Sequence, residues 1–326
     1  MRRPREHGGS LDAAIARHGG SRSAWIDLST GINPLPWPHP APLPPLPHDA
    51  FTRLPDESAF ARLEAAARRF WRVPAEAAVL PSHGASALIA LIPSLAPPGR
   101  VAIDPDTYNE HAVAFRHWGW HVVPPGSPAE AAVIVHPDNP TGRWIRPEEI
   151  PERPLVVIDE SFCDTMPDRS LVALTQRPGI IVLKSFGKFW GLAGLRLGLA
   201  IGHPETLAPL AERTGPWAVS GAALAIGALA LADRRWAEAT RARLMRDAER
   251  LDRLLEQAGA RVFGGTALFR LVETPDADRW QARLGRHRIH LRRFSRHPCR
   301  LRFGLPGAEA EWRRLEAALA EPGDAG

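Results

Sequence analysis

The chain is 326 residues long with 44% hydrophobic and 24% charged side chains, which excludes a disordered or low-complexity chain and suffices for one large or two medium packed domains. Its net charge of +5 is spread over many segments rather than gathered into a basic tail, so small anionic ligands account for it as well as nucleic acid does. Two cysteines, Cys163 and Cys299, give neither a disulfide framework nor a metal-ligand spacing, and fit a reducing cytoplasm.

No apolar segment follows the basic start Met1-Arg-Arg-Pro-Arg, so no secretory leader is expected. Residues 1–48 read as an N-terminal arm leading into a proline-rich connector. Proline is dense enough over 33–47 to exclude helix and central strand and to favour extended chain. Apolar residues then recur at helical spacing over 57–71. Short apolar runs at 77–80, 100–103, 121–123, 132–135, 155–158, 180–183 and 197–201 read as buried strands alternating with helical stretches. Such alternation predicts an α/β fold, here a mostly parallel seven-stranded sheet sandwiched by helices over 49–205. The apolar run 218–231 is alanine- and glycine-rich and too short to span a bilayer. Residues 236–258 form an amphipathic pattern read as a solvated surface helix. Strands at 261–272 and 300–305 with a helix at 308–320 complete a smaller α+β domain, the interdomain helix and this domain together covering 206–326.

Unusual polar residues fall at the strand ends, where open α/β sheets place ligands. After the first strand, Ser82-His-Gly84-Ala85-Ser86 opens a helix expected over 87–95, and a helix start of small residues can present backbone N–H groups to an anion. The strand at 132–135 leads into Asp138-Asn139-Pro-Thr-Gly142, which holds one amide in a rigid loop. Asp159 follows four apolar residues, and a carboxylate there is costly to bury without a partner. Next come Lys184-Ser185-Phe-Gly-Lys188 and, eight residues on, Arg196. These two lysines are the only ones among 41 basic residues. A guanidinium pairs with anions but forms no imine, whereas a primary amine does. Keeping lysine in one short segment alone therefore points to covalent amine chemistry, unless both are leftovers of the arginine bias.

An anion-binding turn, an amide, a carboxylate, an amine and a guanidinium, in this order, are what pyridoxal 5'-phosphate requires. The order and spacing resemble the fold-type-I pyridoxal-phosphate enzymes of the class I/II aminotransferase superfamily. The resemblance implies that Lys188 binds the cofactor aldehyde, Asp159 pairs with the ring nitrogen and Asn139 donates to the ring oxygen. It further implies that Gly84, Ala85, Ser86, Ser185 and Arg196 hold the cofactor phosphate, and that Tyr108, the chain's one tyrosine, stacks on the ring. Lys184 then falls to a structural or electrostatic role. Arg302 is the expected clasp for a substrate carboxylate, with Arg300 as competitor.

The segments Glu6-His7-Gly8-Gly9-Ser10 and Asp27-Leu-Ser29-Thr-Gly31-Ile-Asn33-Pro34 are similar to those of the threonine-phosphate decarboxylase family of cobalamin biosynthesis, which is close to histidinol-phosphate aminotransferase. This implies decarboxylation of L-threonine O-3-phosphate to (R)-1-amino-2-propanol O-2-phosphate by a cytoplasmic homodimer, with His7 and Asn33 joining Arg302 at the substrate and Arg293 or Arg296 as candidates for its phosphate. No metal, membrane or nucleic acid is implied. Two residues depart from the aminotransferase pattern: Phe162 stands where relatives carry a tyrosine reaching the ring oxygen, and Leu54 where a tyrosine reaches the neighbouring subunit's cofactor phosphate. The alternative is transamination of a phosphorylated amino acid such as histidinol phosphate. A binding protein built on the same fold would need an appended module for which the chain has no room, and would leave Lys188 unexplained.

Overall fold

The computed structural model describes residues 7–321. Residues 1–6 of the expected arm, Glu6 included, and 322–326 of the expected C-terminal domain lie outside the described residues. Two compact units are present: Pro36–Thr240, and a second that joins the chain up to Leu35 with the chain from Arg241 onward.

The Pro36–Thr240 unit is built on seven strands, β1 (Ala78–Ser82), β2 (Arg100–Ile103), β3 (His121–Val123), β4 (Ala131–Val135), β5 (Leu155–Asp159), β6 (Ile180–Ser185) and β7 (Gly198–Gly202). Their order in the sheet is β1-β7-β6-β5-β4-β2-β3. Only β7 runs against the rest, pairing antiparallel with both β1 and β6. All five residues of β5 and of β7 are buried, because both faces of the sheet are covered and apolar side chains are needed on each. On one face Val157, Ile181 and Leu183 pack with Leu88 and Ile89 of α2 (Ala85–Leu91), Phe115 of α3 (Asn109–His117) and Leu207 and Leu210 of α4 (Pro204–Thr214). The other face carries α1 (Glu57–Trp71) and α5 (Gly221–Ala232). Helix α1 buries Leu63, Ala66, Ala67 and Trp71, an apolar stripe at helical spacing. The apolar run read at 218–231 proves to be α5, capped where Ser220 Oγ accepts the Ala223 N–H.

Three local expectations are corrected. The helix expected over 87–95 is α2 followed by a 3-10 turn at Ile92–Leu95, since Pro93 has no N–H with which to continue an α-helix. The first strand reaches Ser82, two residues farther than expected. The single strand expected over 261–272 is a hairpin, turned where Thr266 Oγ1 accepts the Leu268 N–H. The amphipathic helix expected over 236–258 is Arg234–Gln257, which buries Ala237, Leu244, Ala248, Leu251 and Leu255 along one stripe. The proline-rich connector is docked rather than loose: Trp37 is buried, its main-chain N–H donates to the Trp190 carbonyl at 2.9 Å, and its indole N–H donates to Asp233.

In the second unit β8 (Arg261–Thr266), β9 (Phe269–Glu273), β10 (Arg292–Arg293) and β11 (Arg300–Gly304) form an antiparallel sheet ordered β10-β11-β9-β8. Residues Ile26–Asp27 pair parallel with Ile289–His290, and the helix Glu309–Ala320 buries Trp312, Leu315, Ala318 and Leu319.

Candidate active site

The carboxyl ends of β4, β5 and β6 open into a cavity of about 160 Å³. Around it the fold brings together Ala85, Ser86, Tyr108, Asn139, Asp159, Ser185, Lys188 and Arg196. Open parallel sheets place ligands at just these ends.

Asp159 ends β5 and is 3% exposed. Burial alone would raise the pKa of its carboxyl, but donors outweigh it and hold the group below the ordinary carboxylate value. The His111 Nε2–H donates to Oδ2 at 2.8 Å, and the Ser161 main-chain N–H and hydroxyl donate to Oδ1 at 3.0 and 2.6 Å. A carboxylate offers about four acceptor sites, so Asp159 can still receive a further donor from the cavity. His111 escaped the sequence reading. Its one signal is spacing: it lies one helical turn after Tyr108, and the two rings meet edge to face at 6.0 Å.

Asn139 is held by a loop that Asp138 organises. Its carboxylate accepts the Thr107 hydroxyl at 2.7 Å and the Thr141 main-chain N–H at 3.1 Å and hydroxyl at 2.5 Å, while Gly142, at φ 75°, closes the turn onto the Asp138 carbonyl. The preceding His136 is neutral and fixed, because burial pushes its imidazole pKa down. Its Nε2–H donates to the Arg169 carbonyl at 2.7 Å and its Nδ1 accepts the Ile145 N–H at 3.2 Å.

The two lysines separate cleanly. Lys184 is 1% exposed and its ammonium lies 2.5 Å from Glu160 Oε2 and 3.7 Å from Asp164. Burial alone would lower its pKa, but Glu160, Cys163 and Asp164 push it well above the ordinary lysine value, so Lys184 stays protonated and cannot act as a nucleophile. Lys188 instead lines the cavity with its Nζ 5.3 Å from the centre of the buried Phe162 ring. His136, Glu160 and Cys163 bring donor atoms within 4.8 Å of one another. No ion is needed to hold them, since Lys184 neutralises Glu160 and both His136 nitrogens are engaged.

Arg196 sits in the left-handed region at φ 53° and donates to the Ala193 carbonyl at 3.1 Å. Two glycines make room beside it. At Gly84, φ 98°, a Cβ would come within 2.6 Å of the Arg196 guanidinium, and at Gly198 a Cβ would come within 2.3 Å of the Ala85 nitrogen. Ser185 Oγ accepts the Gly187 N–H at 3.2 Å, which faces that hydroxyl into the cavity. An amine, a carboxylate kept ionised, an amide, and a guanidinium with two serine hydroxyls thus converge on one cavity, and this donor set fits pyridoxal 5'-phosphate.

The remaining candidates belong to the second unit. Arg302, on β11, is 5% exposed and donates to the Ser29 carbonyl at 2.6 Å. Burial, with Arg292 adding and Asp27 opposing, pushes its guanidinium down to about 9. An arginine side chain keeps its proton all the same at neutral pH. Arg300 lies on the same strand but pairs with Glu273 at 3.8 Å, and Arg293 pairs with Asp278. Arg296 and His7 are exposed. The segment after His7 is pinned where the Gly9 N–H donates to Ser29 Oγ at 2.7 Å, and Ser29 donates in turn to Asp27. Asn33 is buried, its Oδ1 accepting from Arg243 at 2.6 Å and from the Leu35 N–H at 3.1 Å. Leu54 is 63% exposed.

Comparison with known proteins supplies a family. The model of the family "Aminotransferase class I and II" matches residues 124–319. A threonine-phosphate decarboxylase of Pseudomonas aeruginosa is 40% identical, with 96% of this chain and 97% of that one aligned. One from a Sinorhizobium species is also 40% identical, over 98% of this chain and 99% of that one. Among solved structures, the histidinol-phosphate aminotransferase of Sinorhizobium meliloti in complex with pyridoxal-5'-phosphate has a TM-score of 0.76 at 21% identity, covering 94% of this chain and 92% of that chain. It shares the fold of alternating strands and helices derived above. With a family model matching more than half of its length and relatives 40% identical over nearly all of it, the chain belongs to the class I and II aminotransferase family.

Proposed function

We propose that this chain is a pyridoxal-phosphate-dependent carboxy-lyase that converts L-threonine O-3-phosphate to (R)-1-amino-2-propanol O-2-phosphate in cobalamin biosynthesis. The observation that carries the reading is the convergence of Lys188, Asp159, Asn139 and Arg196 on one cavity in a chain 40% identical over nearly its full length to two threonine-phosphate decarboxylases.

When bound, the cofactor supplies an electron-accepting ring conjugated to the amino acid's Cα. Lys188 would bind its aldehyde, and Arg196 with Ser185, Ser86 and the Gly84–Ala85 turn would hold its phosphate. Tyr108 would cover one ring face. Asn139 would donate to the ring oxygen, without a second donor from position 162, where phenylalanine has no hydroxyl. Asp159, held ionised by His111 and Ser161, would keep a proton on the ring nitrogen. Arg302 would take the substrate carboxylate through two N–H groups. With Asn33 fixed by Arg243, it would orient the Cα–carboxylate bond that breaks. As CO2 leaves, the bond's electron pair remains with Cα, and Lys188 Nζ would return a proton to that carbon. His7, with Arg293 or Arg296, would meet the substrate phosphate.

The same reading places the enzyme in the cytoplasm, in keeping with its two unpaired cysteines. It also makes the enzyme a homodimer, which would cover the exposed Phe51 and Leu54. No helix among the described residues is long and apolar enough to cross a membrane.

Single-turnover incubation of the cofactor-loaded protein with L-threonine O-3-phosphate tests the reading. Release of CO2 with the starting absorbance restored is expected. Conversion of the cofactor to pyridoxamine phosphate without CO2 would make the protein an aminotransferase. Lys188→Ala should retain the fold, lose the visible cofactor band and lose at least about 10³-fold in kcat.

A further inference from the structure

Lys184 has no place in the cofactor cavity, yet its ammonium is fully buried and tightly held. Side chains alternate across a strand, so Asp159 and Ser185, which line the cavity, are each adjacent in sequence to a residue aimed at the opposite, α1-bearing face. Those neighbours are Glu160 and Lys184. The ladder of β5 and β6 continues as the Glu160 N–H donates to the Leu183 carbonyl at 3.0 Å. On the far face the Lys184 ammonium lies 2.5 Å from Glu160 Oε2 and 3.4 Å from Ser170 Oγ. Glu160 accepts two further hydrogen bonds, from the Ser170 hydroxyl at 2.7 Å and the Leu171 N–H at 2.5 Å. Asp164, 3.7 Å from the same ammonium, accepts the indole N–H groups of Trp71 at 2.7 Å and Trp190 at 3.0 Å.

This network grips three points of the site from behind. They are the residue after Asp159, the residue before Ser185, and Trp190, two residues beyond Lys188. A buried ion pair costs more desolvation than an apolar pair of the same volume would, and the ladder already fixes the strand register. What the pair adds is direction: each oxygen and proton has an assigned partner, so neither strand end can rotate independently. We infer that the Lys184–Glu160 ion pair is a positioning device that sets the placement of Asp159 and Lys188 relative to one another. Lys184 is thus a positioning residue, and the second lysine of this arginine-rich chain has a mechanical purpose. A compact ammonium with three rotatable donors reaches Glu160 and Ser170 together, where a planar guanidinium would need more room. The inference rests on the cofactor reading above.

Glu160→Asp tests it, because that change keeps both charges while shortening one arm by a methylene. The full chain is loaded with pyridoxal 5'-phosphate and the visible band is titrated with pH. The midpoint is expected to move by about half a unit or more. Turnover of L-threonine O-3-phosphate should fall about tenfold to a hundredfold in kcat with little change in KM. A folded Glu160→Asp variant with the wild-type midpoint and kcat would overturn the inference, whatever its melting temperature. If that variant does not fold, Ser170→Ala removes one partner of the pair and leaves both charges. A moved midpoint in Ser170→Ala supports the inference, and an unmoved one overturns it. Wild-type protein that gives no visible band with the cofactor would instead overturn the reading on which the inference rests.

Discussion

At the scale of single residues, Asp159 shows how a carboxylate stays charged where water is absent. Its folded-state pKa lies below its unfolded value, so it stabilises the fold above the unfolded value near 3.9, and that contribution is lost as pH falls through the folded value. His111 is the first donor opposing the effect of burial. Replacing it, His111→Phe, should raise the Asp159 pKa and move the acid limb of the kcat–pH profile upward; an unmoved limb would show that Ser161 suffices. For Arg302, loss of a charge-assisted contact worth about 1.5–3 kcal/mol predicts that Arg302→Ala lowers kcat/KM about tenfold to a hundredfold. Arg300→Ala, which disturbs a partly exposed pair with Glu273, should change kcat/KM by much less. Both are read from steady-state kinetics. Asn139, Asp159, Ser185 and Lys188, which border the cavity, stood out in the sequence because each ends a strand or follows one in a turn, whereas Ile89 and Ser161, which border it too, did not. His111, Glu160 and Asp164 did not stand out either, since what fixes their partners is the approach of segments up to 48 and 93 positions apart.

Among secondary-structure elements, the seven strands of the large sheet were legible to within two residues because each is a short apolar run bounded by turn formers, whereas the two-residue strands Ile26–Asp27, Ile289–His290 and Arg292–Arg293 are too short to show a pattern. Helix α5 was not assigned from sequence. It is apolar on every side, Leu229 at 46% exposure included, so polarity marks no helical period. The two-residue turn between β8 and β9 was missed although Gly264-Gly265 stand just before it, because a threonine hydroxyl accepting a main-chain N–H is a weak sequence signal. The segment following Lys188 depends on Trp190, which is fully buried and stacks on Trp236 at 5.5 Å. Trp190→Ala should cost about 3–5 kcal/mol of stability, read from denaturant unfolding of the cofactor-free protein. Trp71→Phe keeps most of the ring and removes one donor to Asp164, which predicts a smaller loss of about 1–3 kcal/mol.

For the molecule as a whole, the Pro36–Thr240 unit leaves Phe51 and Leu54 at 69% and 63% exposure, and the proposed homodimer would cover both. Sedimentation should report a dimer that the double substitution Phe51→Glu with Leu54→Glu shifts toward monomer; wild-type protein that sediments as a monomer would contradict the proposed assembly. The scarcity of lysine has a different consequence. One of the two side-chain amines is locked as a buried ammonium against Glu160 and the other lines the cavity, while every other cationic side chain counted in the net charge is a guanidinium. Reagents that acylate or reductively alkylate amines will therefore meet few targets on this chain, chiefly Lys188 and the α-amine. A peptide map before and after ligand addition would then read occupancy of the cavity from the tag on Lys188, with no engineered handle.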